Sequence, residues 1–394
     1  MNISIESMHG ADAPARLFEA ALNRASLLKA VLPNDIESRR ERFVRDMRRG
    51  SPRSPVFTYP ESDPARIDPL QRIVDEYGAH DDPLIRLIAD EASKYLARFQ
   101  ACVSHDADRM TRELADENGV PDEALLAEAL EFLRAGSERT PPEEERMFSA
   151  ADVLEAVEKT LAAQGLTDWK PQIHPEMAAR MSVRSGNRSV NIRADLRLGE
   201  NELVGLITHE IGTHVFRWEN AHRVADVLCV RLSGATATEE GLAVWNEQRA
   251  TGGKSLDPRF ALRVVAVHTA LRGSFVDVVD ALLPFLPVEA AFDVATRVKR
   301  GLVDTAEPGG FIKDHVYLAG YRMVREHLDR NPDDHDLLMT TKWPLHRVPL
   351  LRGADVVSAI GDDIRRPDER FTERTRDIVR DISVVAVPAP RPAQ

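Results

Sequence analysis

One six-residue run, His209-Glu210-Ile211-Gly212-Thr213-His214, sets the hardest condition on how this chain can fold. It lies inside an apolar stretch, Leu203 to Glu219, that reads as helix. On a regular α-helix, residues four apart are separated by about 40°, whereas residues five apart are separated by about 140°. The familiar HExxH pattern uses the first spacing to place two histidines on one metal ion. Here the spacing is five, so both rings serve one centre only if the helix gains a one-residue bulge between them. Gly212 sits where such a distortion costs least. The expectation is a π-bulge or equivalent irregularity around Ile211–Thr213. A regular helix there would leave two unrelated histidines on an amphipathic face.

Zinc chemistry needs neutral imidazoles and a carboxylate converging at about 2.0–2.2 Å on one ion, with a position left open for water. Glu210, beside the first histidine, is placed to take a proton from the water that such a metal activates. About thirty residues on, Thr238-Glu239-Glu240-Gly241-Leu242-Ala243-Val244-Trp245 reads as a threonine-capped helix with two acids in its first turn. Acids there are ordinary helix capping. Two histidines on one helix and a glutamate on a following one is also the ligand arrangement of glutamate-type zinc peptidases. A closed structural zinc site takes four ligands, frequently cysteine, and the chain has only Cys102 and Cys229. Cys229 reads as a small buried hydrophobe, and both thiols are expected reduced.

Composition narrows the class further. An apolar share of 43% suffices for a packed core. With 52 basic against 64 acidic groups, a net charge of −12, the chain is a poor candidate for nonspecific nucleic-acid binding, which draws on many phosphate contacts. No stretch is apolar for the roughly 20 residues a membrane helix needs; Ala281 to Ala291 is short and holds Pro284, Pro287 and Glu289. Met1 to Ala15 has no basic start followed by an apolar run. A soluble, cytoplasmic protein with no membrane or nucleic-acid partner is expected.

Most of the chain carries helical periodicity. Leu17, Ala20, Ala21, Ala25, Leu27 and Leu28 recur at helical spacing before Pro33. Asn34 or Asp35 can cap a second helix toward Gly50, whose Arg39, Arg40, Arg42, Arg45, Arg48 and Arg49 interleave with Glu37, Glu41 and Asp46 and read as an ion-paired solvated face. Further helical patterns lie at Pro69–Glu76, Pro83–Phe99, Glu123–Arg134 and Ser149 to Gly165. The clear strand signal is Met181 to Asp195, alternating around a turn at Ser185-Gly186-Asn187. Helix returns from Glu202 to about Val384, and Val387 to Gln394 reads as a loose tail. The expected fold is α+β, predominantly helical, with a small sheet before the HExxxH helix. An N-terminal helical region at 1–145, a zinc-binding core at 146–255, a C-terminal helical region at 256–386 completing the substrate cleft, and a tail at 387–394 are the expected parts.

HEIGTH followed by EEGLA resembles the QEGLA-motif family, which includes the animal microtubule-associated tubulin tyrosine carboxypeptidases and proteins named flavohemoglobin expression-modulating QEGLA motif proteins. Pro33-Asn34, Phe57-Thr58-Tyr59-Pro60, Arg297-Val298-Lys299-Arg300-Gly301 and Lys313-Asp314-His315-Val316-Tyr317-Leu318-Ala319-Gly320 also look familial, so the resemblance runs from about Arg16 to Ile382. It implies a zincin-like metallopeptidase core, His209 and His214 as zinc ligands and Glu210 as general base. In QEGLA the first acid is glutamine, so the shared carboxylate corresponds to Glu240, implied as the third ligand of one Zn²⁺. Glu239 would then be substrate-facing or support the ligands from behind. The resemblance further implies carboxypeptidase action on the C-terminus of a peptide or protein.

Such an enzyme needs a cation for the terminal carboxylate, an Arg fork or a Lys point charge. Arg297 to Tyr317 offers Arg297, Lys299, Arg300 and Lys313 around Gly309-Gly310, with Lys313 or Arg297 the first choices. Tyr317 or His315 is the candidate that polarises the scissile carbonyl. His222, His268, His327, His335 and His346 lack partners at ligand spacing, and Asp277 and Asp280 are commonplace helix acids. Two rivals remain at this level: a binding or regulatory protein that keeps the fold, and a helical interaction protein with structural zinc. Neither needs Glu210.

Overall fold

Two discontinuous units organise the chain in the computed structural model, which describes residues 3–137, 146–175, 177, 179–253 and 256–382. One comprises Met1–Arg139, Trp218–Leu242 and Leu256–Ile364; the other comprises Thr140–Arg217, Ala243–Ser255 and Arg365–Gln394. The expected loose tail lies outside the described residues. Among those residues, no helix is long and apolar enough to cross a membrane.

The first unit is helical. Its centre is the helix Pro258–Ala270, started by Asp257, whose carboxylate accepts from the Arg259 amide; it packs against Glu123–Ser137 and Phe275–Leu282. Phe43, Phe275 and Phe292 form a buried aromatic knot with centroids 5.1–5.4 Å apart, edge-on or tilted as ring quadrupoles prefer. Asp277, a commonplace helix acid in the sequence, closes a capping box with Ser274. The helix expected to run toward Gly50 spans Ile36–Arg48, and its basic face differs from the expectation. Within the helix only Arg40 pairs with Glu37 among the described residues. Arg40 and Arg48 also reach out to Asp293 and Glu289 of the helix Val288–Lys299. Arg39 and Arg42 line a cavity of about 410 Å³ with Arg53. Tertiary acids thus join the local one, because the neighbouring helix presents Asp293 and Glu289 within ion-pair reach of this face.

The second unit holds the sheet. Strands β1 (Phe148–Ser149) and β5 (Arg197–Leu198) pair antiparallel, and β2 (Lys170–His174), β3 (Met181–Arg184) and β4 (Ser189–Arg193) form a three-stranded sheet in the order β2-β4-β3. The β3–β4 hairpin lies where the alternation placed it, turning through Ser185–Asn187 with Arg188 at φ 47°. Strand β2 escaped the reading because it is a polar edge strand containing Pro171, with only the parallel bonds to β4 to hold it. The central strand β4 is buried nearly throughout. Helix Ala150–Ala163 begins with a Ser149–Asp152 capping box, as its sequence suggests, and Glu369–Arg380 packs across it and across Glu200–His209. The fold is α+β and predominantly helical. Both cysteines are free and buried.

Candidate metal centre

The helix that enters at Glu200 does not stay regular. Glu200–His209 is α-helix, Glu210–Val215 is π-helix, and Phe216–Val224 is α-helix again. The extra residue falls inside the motif, where the five-residue spacing requires it, and a turn closed by i→i+5 bonds brings residues five apart back to one face. Side chains lock the widened turn: Thr213 Oγ1 donates to the Thr208 carbonyl at 3.1 Å, and Asn246 Nδ2 donates to Thr213 Oγ1 at 3.0 Å. Gly212 serves a different purpose from the one its type suggested. Its backbone is not left-handed. A Cβ there would stand 2.9 Å from Pro367 Cβ and 3.1 Å from Phe371 Cε1, so the glycine admits close packing.

The rings of His209 and His214 consequently stand with centroids 5.1 Å apart at 67°. Ligand atoms of His209, His214 and Glu240 all lie within 4.8 Å of one another. Two imidazoles and one carboxylate suit Zn²⁺ and leave a coordination position for substrate or water. Glu210 is buried beside this set, 7% exposed.

Glu240 is carried by the helix Ala235–Ala250, which starts three residues before Thr238. The expected cap is therefore not one. Thr238 Oγ1 accepts from the Leu345 amide at 2.8 Å instead, and both glutamates lie beyond the first turn. Glu239, the residue before Glu240, holds Lys342 at 3.2 Å and is buried. The glycine of EEGLA has a tertiary cause. A Cβ on Gly241 would lie 2.2 Å from the Gly320 carbonyl carbon, and one on Gly320 would lie 2.0 Å from the Ala237 carbonyl oxygen. Two glycines thus let the helices Ala235–Ala250 and Val316–Arg330 touch backbone to backbone. That contact sets Tyr317, one turn before Gly320, in the electrostatic field of Glu240.

The basic residues divide by burial. Arg297, Lys313 and Tyr317 are half-buried, and each feels the charge of Glu240. Asp314, fully buried, accepts from Arg297 Nε at 2.8 Å and lies 3.2 Å from Lys313 Nζ. Burial pushes the Asp314 carboxyl up, but Arg297, Lys313 and Arg300 outweigh it and hold it well below the usual carboxylate range. Burial lowers the Lys313 ammonium and raises the Tyr317 phenol, the latter reinforced by Glu240. Arg300 is buried with its guanidinium 4.6 Å from the Phe311 ring centre, and burial pushes it down to about 10.

Lys299 and His315 are committed to backbone. Lys299 Nζ donates to the carbonyls of Gly273 at 2.5 Å, Glu307 at 2.6 Å and Ala270 at 3.4 Å, and burial pushes it down to about 8. His315 Nδ1 lies 2.9 Å from the Ile312 carbonyl, and burial lowers its pKa. The sequence reading missed Asp314 and Glu247. The second accepts from His209 Nδ1 at 3.1 Å. Its signal was its place seven residues after Glu240, two turns along one helix face.

A profile of the family described as microtubule-associated tyrosine carboxypeptidase matches residues 41–357, well over half of the chain. Microtubule-associated tyrosine carboxypeptidase 1 of Mus musculus is 35% identical over 142 residues, 34% of this chain and 30% of that protein. The Homo sapiens protein of the same name is 35% identical over 131 residues, 32% of this chain and 28% of that protein. The chain thus spans about a third of the length of the curated relatives it matches. By the extent of the profile match, this chain belongs to the microtubule-associated tyrosine carboxypeptidase family.

Proposed function

We propose that the chain is a zinc-dependent carboxypeptidase that removes the C-terminal residue of a peptide or protein, with a zincin-like catalytic core. The observation that carries this reading is the π-turn, which brings two histidines five residues apart to one carboxylate while keeping Glu210 buried beside them. A helix under no functional demand gains nothing from that irregularity.

His209, His214 and Glu240 would hold the ion, which supplies polarisation of the scissile carbonyl and activation of a water nucleophile. Glu210 takes one proton from the attacking water as its oxygen bonds to the carbonyl carbon. It then delivers that proton to the amide nitrogen as the carbon–nitrogen bond breaks, releasing an amine and a carboxylic acid that gives its remaining proton to solvent. Burial raises the pKa of the Tyr317 phenol, so it keeps a proton to donate to the oxygen that gains charge. Arg297 and Lys313 bind the terminal carboxylate, held in place by Asp314, and Arg300 adds positive potential from behind. Lys299 and His315 brace the backbone around Gly309-Gly310, and Glu239 anchors its helix through Lys342. The relatives' name makes a peptide ending in tyrosine the first substrate to try.

The test combines metal content with turnover. Protein purified without added zinc should carry one zinc per chain, lost in His209→Ala and in Glu240→Ala. Glu210→Gln should keep the metal and the fold while release of a C-terminal tyrosine drops about 10³-fold. Full turnover in Glu210→Gln would remove the base assignment. Bound zinc with no turnover on any peptide library would favour a binding protein that keeps the fold.

A further inference from the structure

The end of the helix Ala235–Ala250 places a second carboxylate against the motif helix. Glu247 is 5% exposed and His209 is 7% exposed, and Glu247 Oε2 lies 3.1 Å from His209 Nδ1. A carboxylate only accepts, so the proton of that bond sits on Nδ1 and the Nε2 lone pair is the one left for a ligand. Among the described residues no arginine or lysine lies within ion-pair reach of Glu247, whose carboxylate faces the His209 ring instead. A carboxylate buried in that way needs positive charge nearby. An imidazole bound to a divalent cation supplies it.

The close approach is built into the sequence on the facing helix. Gly205 stands one turn before His209, and a Cβ there would lie 3.2 Å from Glu247 Cγ and 3.1 Å from Thr251 Cγ2. Thr251 Oγ1 in turn donates to the Glu247 carbonyl at 2.8 Å, tightening the last turn of the helix. The neighbouring Asn246 holds the π-turn through Thr213. One helix end thus secures both the widened turn and the ring that the turn presents.

We propose that Glu247 is a positioning residue that acts through His209, fixing its Nδ1–H tautomer and ring orientation so that Nε2 faces the metal. This rests on the zinc reading above. Outer carboxylates of this kind are worth 10- to 100-fold in metal affinity.

Zinc affinity measured by chelator competition tests it, using Glu247→Gln, which keeps an acceptor without the charge, and Glu247→Leu, which keeps neither. The expected result is about 10-fold weaker binding in Glu247→Gln and about 100-fold in Glu247→Leu. The melting temperature of the metal-free protein should fall by less than the affinity change would imply. Zinc affinity in Glu247→Leu within twofold of the parent would overturn the proposal, as would a metal-free melting temperature in Glu247→Gln that falls far enough to account for its whole affinity loss. Nitrogen-15 NMR of the metal-free protein separates this failure from failure of the zinc reading. The His209 ring should be the Nδ1–H tautomer in the parent and a mixture in Glu247→Leu. A parent that holds no zinc but shows that tautomer shift would refute the metal reading while keeping the orienting bond. An Nε2–H tautomer in the parent would refute the orienting bond itself.

Discussion

The HEIGTH turn and the Asp314 cluster solve opposite problems. The turn keeps its chemistry in six consecutive residues and adjusts the backbone to them, widening one helical turn so that His209 and His214 share a face. The cluster, on a short 3-10 turn at Ile312–His315, works by adjusting the charges. A single buried carboxylate, Asp314, gathers Arg297 from 17 residues away and its own neighbour Lys313. Local geometry is enforced by hydrogen bonds that cost little to satisfy; gathering cations needs a counter-charge that cannot be removed without leaving them repelling one another. The first region should therefore lose function when edited and keep its fold, whereas the second should lose both.

The largest effect expected from breaking this contrast is on the motif side. His214→Ala should abolish zinc binding and cut tyrosine release by about 10³-fold or more, with the helical circular dichroism unchanged. A variant that unfolds would place the π-turn among the stabilising features instead. Asp314→Asn comes next. Removing the buried acid strands its cations, at a cost of roughly 3–5 kcal/mol in unfolding free energy, read by urea denaturation. A cost below about 1 kcal/mol would mean that Asp314 is not the anchor.

Substitution of the cations themselves sharpens the functional half. If Lys313 and Arg297 bind the terminal carboxylate as proposed, Lys313→Met and Arg297→Met each remove a charged hydrogen bond to it, so kcat/KM on a C-terminal tyrosine peptide should fall about 10- to 100-fold. The same enzymes should lose much less against a peptide whose C-terminus is amidated. Equal losses on both peptides would move these residues away from the terminal carboxylate.

The smallest effect is on pH dependence. The folded Asp314 carboxyl titrates well below its ordinary value of 3.8, so it contributes stability above about pH 4 that is lost as pH falls through that value toward the folded one. Metal-free parent protein should lose more stability between pH 5 and pH 3.5 than metal-free Asp314→Asn. Parallel losses would exclude the carboxylate as the source.

Much of this was legible in the chain. The spacing of His209 and His214 demanded a bulge, and the bulge lies where the demand placed it, because the constraint is local and angular. The hairpin Met181–Arg193 followed from alternation, and the Ser149 helix from its cap. Strand β2 was not legible, since an edge strand held by one partner needs no apolar period of its own. Nor was the true start of the Glu240 helix, because Thr238 spends its hydroxyl on Leu345, a residue 107 positions away.

By itself, then, the sequence determined the candidate metal-ligand set, the irregular helix and the predominantly helical α+β class, all of which follow from spacings of a few residues. Only the tertiary structure decided what each charge and glycine is for. Gly212 is small because Pro367 and Phe371 press on it, and Gly241 because Gly320 does. Arg297 and Lys313 are gathered while Lys299 is consumed by three carbonyls. Those roles depend on which distant groups arrive within about 3 Å, and hydrogen bonds and charge pairs fall off too steeply with distance for any local pattern to encode them.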